Sequence, residues 1–286
     1  MSGQGGSDFG GVRRWREHAG IDPTPRPLAD YFLGMDLGIN GRTAAVAAGS
    51  AGLGLGAAKA LAADGVRVAI CGRDEARLAA AVAEIEAAGG TDVVSIVADV
   101  STSDGGRQFV EDAIAQMGHI DILVTNAGGP PPGTFTNTDL DGYQTAFDMN
   151  CLSMIEMCRV AIPPMRERGW GRVCAITSVG VKQPIDFLAA SSVARAGLTS
   201  FLKITAREVA ADGVCVNSCQ PGSHWTDRIA KIIPDKATAD ASVPTGKVGD
   251  PDDFGQAVAF LCSEQAKFIV GTGLLVDGGQ TMGLLD

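Results

Sequence analysis

The sequence predicts an α/β chain built as a single doubly wound parallel sheet of about seven strands with helices on both faces. Three observations carry this. From Gly41 onward, short apolar runs alternate with helix-length stretches. Those runs, such as Thr43 to Ala48, are small and apolar at consecutive positions, as strands covered on both faces are. The first run passes into a helix through a glycine-rich turn, Gly49 to Gly56.

The elements follow in order. Thr43 to Ala48 is the first strand, and Ala57 to Ala63 is a strong helix former. After the Asp64-Gly65 turn, Val66 to Cys71 is the second strand. Asp74 to Ala88 is an alanine-rich helix, with Asp74 as N-cap and Gly89-Gly90 as its stop. Val93 to Ala98 is the third strand, followed by Asp99, and Asp104 to Met117 is helical. Ile122 to Thr125 is the fourth strand, ending in Asn126-Ala127-Gly128-Gly129. Pro130-Pro131-Pro132-Gly133 excludes both helix and central strand, so a loop leaves the sheet here. One long helix is expected over Gly142 to Arg168, a fifth strand over Val173 to Ser178 and a second long helix over Ala189 to Ala211. Val214 to Gln220 is the sixth strand, ending at Pro221-Gly222. Residues 223–249 read as loop with some helix, Asp252 to Ser263 as helix, and Leu274 to Asp277 as the last strand.

Residues 35–286 therefore make one domain. Residues 1–34, rich in glycine and carrying Pro23-Thr24-Pro25-Arg26-Pro27, read as a flexible arm with a short helix near Trp15 to His18. The arm is either an untidy terminus or a segment that packs on a neighbouring subunit, and Met35 is an alternative start.

The chain has 286 residues, 45% of them hydrophobic, and a net charge of -10. That charge argues against nucleic acid as a partner, which needs a basic face. No run is long and apolar enough to span a bilayer, and no signal-peptide pattern is present. Seven cysteines without CxxC pairs indicate buried thiols in a reducing cytoplasm. Three histidines make a histidine-rich metal site improbable.

A strand, a glycine turn and a helix N-terminus together form an anion site. Missing Cβ atoms admit a pyrophosphate to the backbone, and first-turn N–H groups favour its charge. Gly49, Ser50, Gly52, Leu53 and Gly54 are the candidate dinucleotide cradle. In such sheets ligands sit beyond the strand C-termini, where Asp99, Asn126, Ser178 and Pro221 converge. An acid at the end of strand two would bond the adenosine 2′-hydroxyl. This chain has Gly72-Arg73 instead, and Arg73 offers a fork for a 2′-phosphate, which favours NADP(H) over NAD(H). The bland alternative pairs Arg73 with Asp74 or Glu75 on the surface.

From about Leu37 to Gly279 the chain resembles the short-chain dehydrogenase/reductase family, in particular its bacterial ketoacyl-carrier-protein reductase-like branch. The motifs that carry the resemblance are the glycine loop, Asp99-Val100, Asn126-Ala127-Gly128, Asn150, Ser178, Pro221-Gly222 with Thr226, and Val276-Asp277-Gly278-Gly279. The resemblance implies a Rossmann-type fold, adenine contacts from Asp99 and Val100, cofactor contacts from Asn126, Gly128, Pro221 and Gly222, and a carboxamide contact from Thr226. It implies a carbonyl donor at Ser178, a water-holding amide at Asn150, and a homotetramer or homodimer.

Three positions depart from the family pattern. Its Thr-Gly-x-x-x-Gly-x-Gly loop reads Ala47-Ala48-Gly49-Ser50-Ala51-Gly52-Leu53-Gly54, so either the turn relaxes at Ala48 or Gly49 takes over. Its Tyr-x-x-x-Lys reads Ser191 and Arg195, and neither Tyr31 nor Tyr143 has a lysine four residues on. Ser191 and Arg195 share a helix face. Arg195 can hold ribose hydroxyls but stays protonated, and an unactivated serine is a poor acid. The resemblance extends to members that carry this Ser-x-x-x-Arg variant.

The expected function is an NADP(H)-dependent reduction of a ketone to an alcohol, with Ser178, Ser191, Arg195 and Asn150 as the catalytic group. His224 is a candidate replacement acid, Tyr143 a packing or substrate-contacting residue, and Lys182 a surface group or an anion holder. The substrate is a small carbonyl compound, largely apolar, since Phe187, Leu188, Trp225 and Ile229 flank the substrate loop. The alternatives are a non-redox cyclase, isomerase or dehydratase retaining the nucleotide site, and a nucleotide-sensing scaffold.

Overall fold

The computed structural model of the protein describes residues 36–284. Its elements are β1 (Thr43–Val46), α1 (Gly52–Ala63), β2 (Arg67–Gly72), α2 (Glu75–Ala87), β3 (Val94–Val97), α3 (Ser103–Met117), β4 (Ile122–Thr125), α4 (Leu140–Phe147), α5 (Ser153–Arg168), β5 (Gly171–Ile176), α6 (Ala189–Val209), β6 (Val214–Pro221), α7 (Asp227–Ile232), α8 (Lys236–Ala241), α9 (Pro251–Leu261) and β7 (Gly273–Val276). The seven strands form one sheet in the order β3-β2-β1-β4-β5-β6-β7, with every pairing parallel. The chain runs outward from β1 to β3, then returns to the other side of β1 with β4. That reversal opens a crevice at the strand C-termini.

Strand residues alternate between two cores, because successive side chains point to opposite faces. Ala45 and Leu123 join Phe109, Met154, Met157, Leu198 and Leu202 under α3, α5 and α6. Ala44, Val46, Ile122 and Val124 join Leu61, Ile85, Phe254 and Val258 under α1, α2 and α9. The apolar stretches Met154 to Ile162 and Leu198 to Ile204 therefore supply this chain's own core, although Ile204 itself is 65% exposed. Asp74 caps α2 as its sequence position implies, its side chain accepting from the Arg77 N–H.

The helical stretch expected over Gly142 to Arg168 forms, but not as one regular α-helix. A π-helical turn, Asp148–Leu152, separates α4 from α5 and re-aims the side chains it carries. Strand β5 ends at Ile176, so Ser178 lies beyond the strand, in an extended residue that opens a 3₁₀ turn. The arm expected over residues 1–34, its short helix and the alternative start at Met35 lie outside the described residues.

All seven cysteines are free and buried. Burial pushes Cys71 and Cys158 up to about 12, so neither supplies a thiolate at neutral pH. Among the described residues no helix is long and apolar enough to cross a membrane, and no group of three metal-ligating side chains occurs.

Candidate active site

The cradle forms because β1 stops at Val46 and the chain must turn sharply into α1. Ala48 makes that turn in the left-handed region, at φ 48°. The turn does not relax at Ala48, and Gly49 does not take over the left-handed role, since its φ is not positive. Glycine is required further on for other reasons. Gly52 sits at φ 56°. A Cβ on Gly54 would collide with the Ala48 carbonyl and lie 2.9 Å from the Asn126 amide nitrogen. Helix α1 thereby packs its N-terminus against the ends of β1 and β4. Ala51 precedes it in extended conformation and provides no side-chain cap, leaving first-turn N–H groups for an anion.

The neighbouring strands complete the groove. Gly72 closes β2 against Ser50, whose Oγ would lie 2.6 Å from a Cβ there. Arg73 is exposed, with Nη1 3.9 Å from the Asp99 carboxylate rather than paired with Asp74 or Glu75. Val100 is buried, and its carbonyl accepts from Ser153 Oγ at 2.7 Å. Thr226 caps α7, accepting from the Ile229 N–H, and its methyl would lie 3.4 Å from a Cβ on Gly52. Arg77 and Asp227 pair at 2.7 Å, joining α2 to α7. A cavity of about 460 Å³ flanks the turn, lined by Ser50, Gly52, Arg77, Trp225 and Thr226. The uncapped helix start and the side-chain-free approach over Gly52 and Gly54 fit a dinucleotide pyrophosphate.

At the other end of the cleft, two hydroxyls share one pattern. Ser178 Oγ accepts from the Gly180 N–H at 3.0 Å. Ser191 Oγ accepts from Arg195 Nε at 3.3 Å. Each serine spends a lone pair on the protein and keeps its own proton for a ligand. Arg195 also donates through Nη1 to the carbonyls of Ile176 at 3.0 Å and Thr177 at 3.1 Å. These bonds hold α6 to the end of β5. Burial, with the charge of Arg228 second, lowers the Arg195 pKa to about 10. It is still a cation at neutral pH.

Asn150 is fully buried in the π-helical turn and donates to the Gly128 carbonyl at 2.8 Å. Its Oδ1 has no hydrogen-bond partner among the described residues. An orphaned buried acceptor at a cleft is a place for an ordered water.

The proline loop joins both walls. Gly133 donates to the Phe187 carbonyl at 2.8 Å, and Ala189 donates back to Gly133 at 3.0 Å. The loop so fixes the start of α6, which carries Ser191. Arg228 donates to the Pro130 carbonyl at 3.1 Å, and its guanidinium lies over Gly129, where a Cβ would collide with it.

Several candidates lie elsewhere. His224 is buried, with Nδ1 3.2 Å from the Gly222 carbonyl and its ring edge-on to Phe254. It contacts Gly222, Gly249 and, on α9, Phe254, and not Ser178, Ser191 or Arg195. Burial lowers its pKa below 6.5. Tyr143 packs against Ala146, Ala190 and Ala194. Trp225 packs on Ala239, Val243 and Val248 of the substrate loop, and Phe187 is half-exposed. Sequence reasoning missed two residues. Ser192 directs its Oγ to within 3.2 Å of a Cβ position on Gly180, beside Ser178. Arg228 carries no motif, and its role depends on a contact 98 residues away in sequence.

The protein family described as Enoyl-(Acyl carrier protein) reductase matches residues 47–281. An acetoacetyl-CoA reductase from Allochromatium vinosum is 33% identical over 84% of this chain and 99% of its own length. A 3-oxoacyl-[acyl-carrier-protein] reductase from Chlamydia pneumoniae is 31% identical over 86% of this chain and 100% of its own. The crystal structure of L-sorbose reductase from Gluconobacter frateurii, complexed with NADPH and L-sorbose, superposes with a TM-score of 0.81 at 30% identity, covering 87% of this chain and 100% of that one.

Proposed function

The chain belongs to the short-chain dehydrogenase/reductase family of oxidoreductases, and from that premise we propose that it is an NADP(H)-dependent reductase converting a ketone to an alcohol through a Ser178–Ser191–Arg195 centre. The observation that carries the proposal is the pair of serine hydroxyls, each accepting from the protein and each left with a proton to donate.

The glycine turn, Gly49 to Gly54, with Asn126, Gly128, Pro221, Gly222 and Thr226, would hold the dinucleotide, and Asp99 with Val100 would flank the adenine. Arg73, exposed and only loosely held by Asp99, would take the 2′-phosphate. When bound, the nicotinamide supplies the hydride.

Ser178 Oγ–H donates to the substrate carbonyl oxygen. Ser191 Oγ–H supplies a second donor, oriented by Arg195 Nε. The Arg195 charge favours the oxyanion as it develops. The proton that ends on that oxygen comes from Ser191 Oγ and is replaced from water held at Asn150 Oδ1. Arg195 orients and stabilises without giving up its own proton. A serine is a weaker acid than a phenol, and general acid help is worth about 10²–10⁴-fold, so turnover is slow for the family. A homo-oligomer in a reducing cytoplasm is part of the same proposal.

The test is cofactor-dependent reduction of a ketone panel, followed by loss of nicotinamide absorbance, in wild type and Ser178→Ala. Turnover that falls by about 10²-fold in the variant supports the proposal. Cofactor binding with no ketone reduced counts against it. Product formed without net cofactor consumption selects the non-redox alternative.

A further inference from the structure

Among the described residues, arginines that are not exposed are paired, with two exceptions. Arg42, Arg67 and Arg172 each have a carboxylate within 4.0 Å. Among the described residues only Arg195 and Arg228 are buried or half-buried with no carboxylate at that distance. This is notable in a chain of net charge -10, where acids are in excess. Arg195 lies behind Ser191 at the end of β5 and Arg228 lies against the Gly129-Pro130 loop, and each is held by backbone carbonyls alone apart from the Ser191 bond. Donor edges are left over. Arg195 uses Nε and Nη1, and Arg228 uses Nη2. Arg195 Nη2, with Nε and Nη1 of Arg228, makes no bond to the described residues.

Two neighbouring guanidinium groups withdrawn from water without a counter-charge are costly. Burial and the field of Arg228 already lower the basicity of Arg195. An entering anion offsets that cost. The cofactor pyrophosphate has its own site at the glycine turn, and the nicotinamide and its ribose are not anionic. The Tyr-to-Ser change adds room, because a serine hydroxyl ends one bond past Cβ where a phenol would extend a ring into the cleft. The position of Arg228 is built: it depends on Gly129, whose Cβ would occupy the guanidinium site.

We propose that the substrate is an oxo acid, a ketone carrying a carboxylate that Arg228 receives, with Arg195 adding charge behind it. The expectation of a largely apolar substrate is thus refined to an apolar body with one acidic end. Arg228 is a specificity-determining residue in this account. The inference rests on the ketoreductase reading for its turnover assay, and not for its binding assay.

The experiment compares 4-oxopentanoate and 5-oxohexanoate with their methyl esters, using the full chain and NADPH. Wild type should favour the acids over the esters in kcat/KM by about 10–100-fold, the value of a charge-assisted bond. Arg228→Met and Gly129→Ala should both collapse that ratio, the second by displacing the guanidinium while keeping the charge in the chain. Arg228→Lys should keep part of it. In parallel, calorimetry measures 4-hydroxypentanoate and its methyl ester binding to the NADPH complex, which needs no turnover. Acid-selective binding lost in Arg228→Met, with no ketone reduced, upholds the carboxylate site and rejects the reductase reading. Equal rates and equal binding for acids and esters overturn the inference. So does an Arg228→Met variant that weakens NADPH binding and leaves the acid-to-ester ratio unchanged, which would assign Arg228 to the cofactor.

Discussion

Arg195 reaches back one turn of α6 and donates from Nε to the Ser191 hydroxyl at 3.3 Å, so the two residues form a single hydrogen-bonded unit. Arg195 is 8% exposed, and its guanidinium also ties down the carbonyls of Ile176 and Thr177.

That unit trades stability for chemistry. A fall in Arg195 basicity from 12.5 to about 10 is a burial penalty of about 3 kcal/mol, present in full at pH 7 because both folded and unfolded arginine are protonated there. Arg195→Met removes this penalty and leaves two carbonyls without a donor, a cost of about 1–3 kcal/mol each. The two effects nearly offset, so the Tm of the cofactor-free variant should stay close to that of wild type, while kcat/KM for ketone reduction drops by about 10²-fold or more. A large loss of Tm in a thermal melt would show that the carbonyl bonds dominate.

Ala48 is the residue that the glycine turn tolerates at a cost. A non-glycine residue in the left-handed region costs about 1–2 kcal/mol, and glycine gives back part of that as unfolded-chain entropy. Ala48→Gly should therefore raise unfolding free energy by about 0.5–1 kcal/mol in urea titrations. Gly54→Ala should do the reverse and abolish NADPH binding, since its Cβ meets the rigid Ala48 backbone.

The proposed preference for NADP(H) rests on one exposed side chain, Arg73. Arg73→Ala should weaken NADPH by about 10–100-fold in Kd and leave NADH nearly unaffected. Fluorescence titration of both cofactors measures the difference. An equal loss for the two would remove Arg73 from the 2′-phosphate site.

His224 gives the fold an acid-side weakness. Its folded pKa is depressed by burial, so the unfolded chain binds the proton more readily. The contribution is intact above 6.5, the ordinary value, and is lost as pH falls through the folded value. Wild type should lose more Tm than His224→Gln between pH 7 and pH values below that window. Parallel curves for the two proteins would contradict the assignment.

The sequence alone determined the sheet, because apolar runs and helix-length stretches alternate at spacings that admit one parallel architecture. It determined the glycine turn between the first strand and its helix, and the shared helix face of Ser191 and Arg195, because each is set by neighbours a few residues away. Tertiary structure decided the rest. Ala48 stays left-handed where its N–H donates to Cys71 Sγ at 3.3 Å and its carbonyl lies close against Gly54, contacts made across the fold. The π-helical turn at Asp148–Leu152 is not revealed by the helical periodicity of the segment. Which way His224 faces was set by Phe254, thirty residues on. Arg228 became part of the site only because a glycine in a distant loop left space for it. Local chemistry is written in short-range pattern; charge balance in a cleft is a sum over side chains that only folding brings within reach.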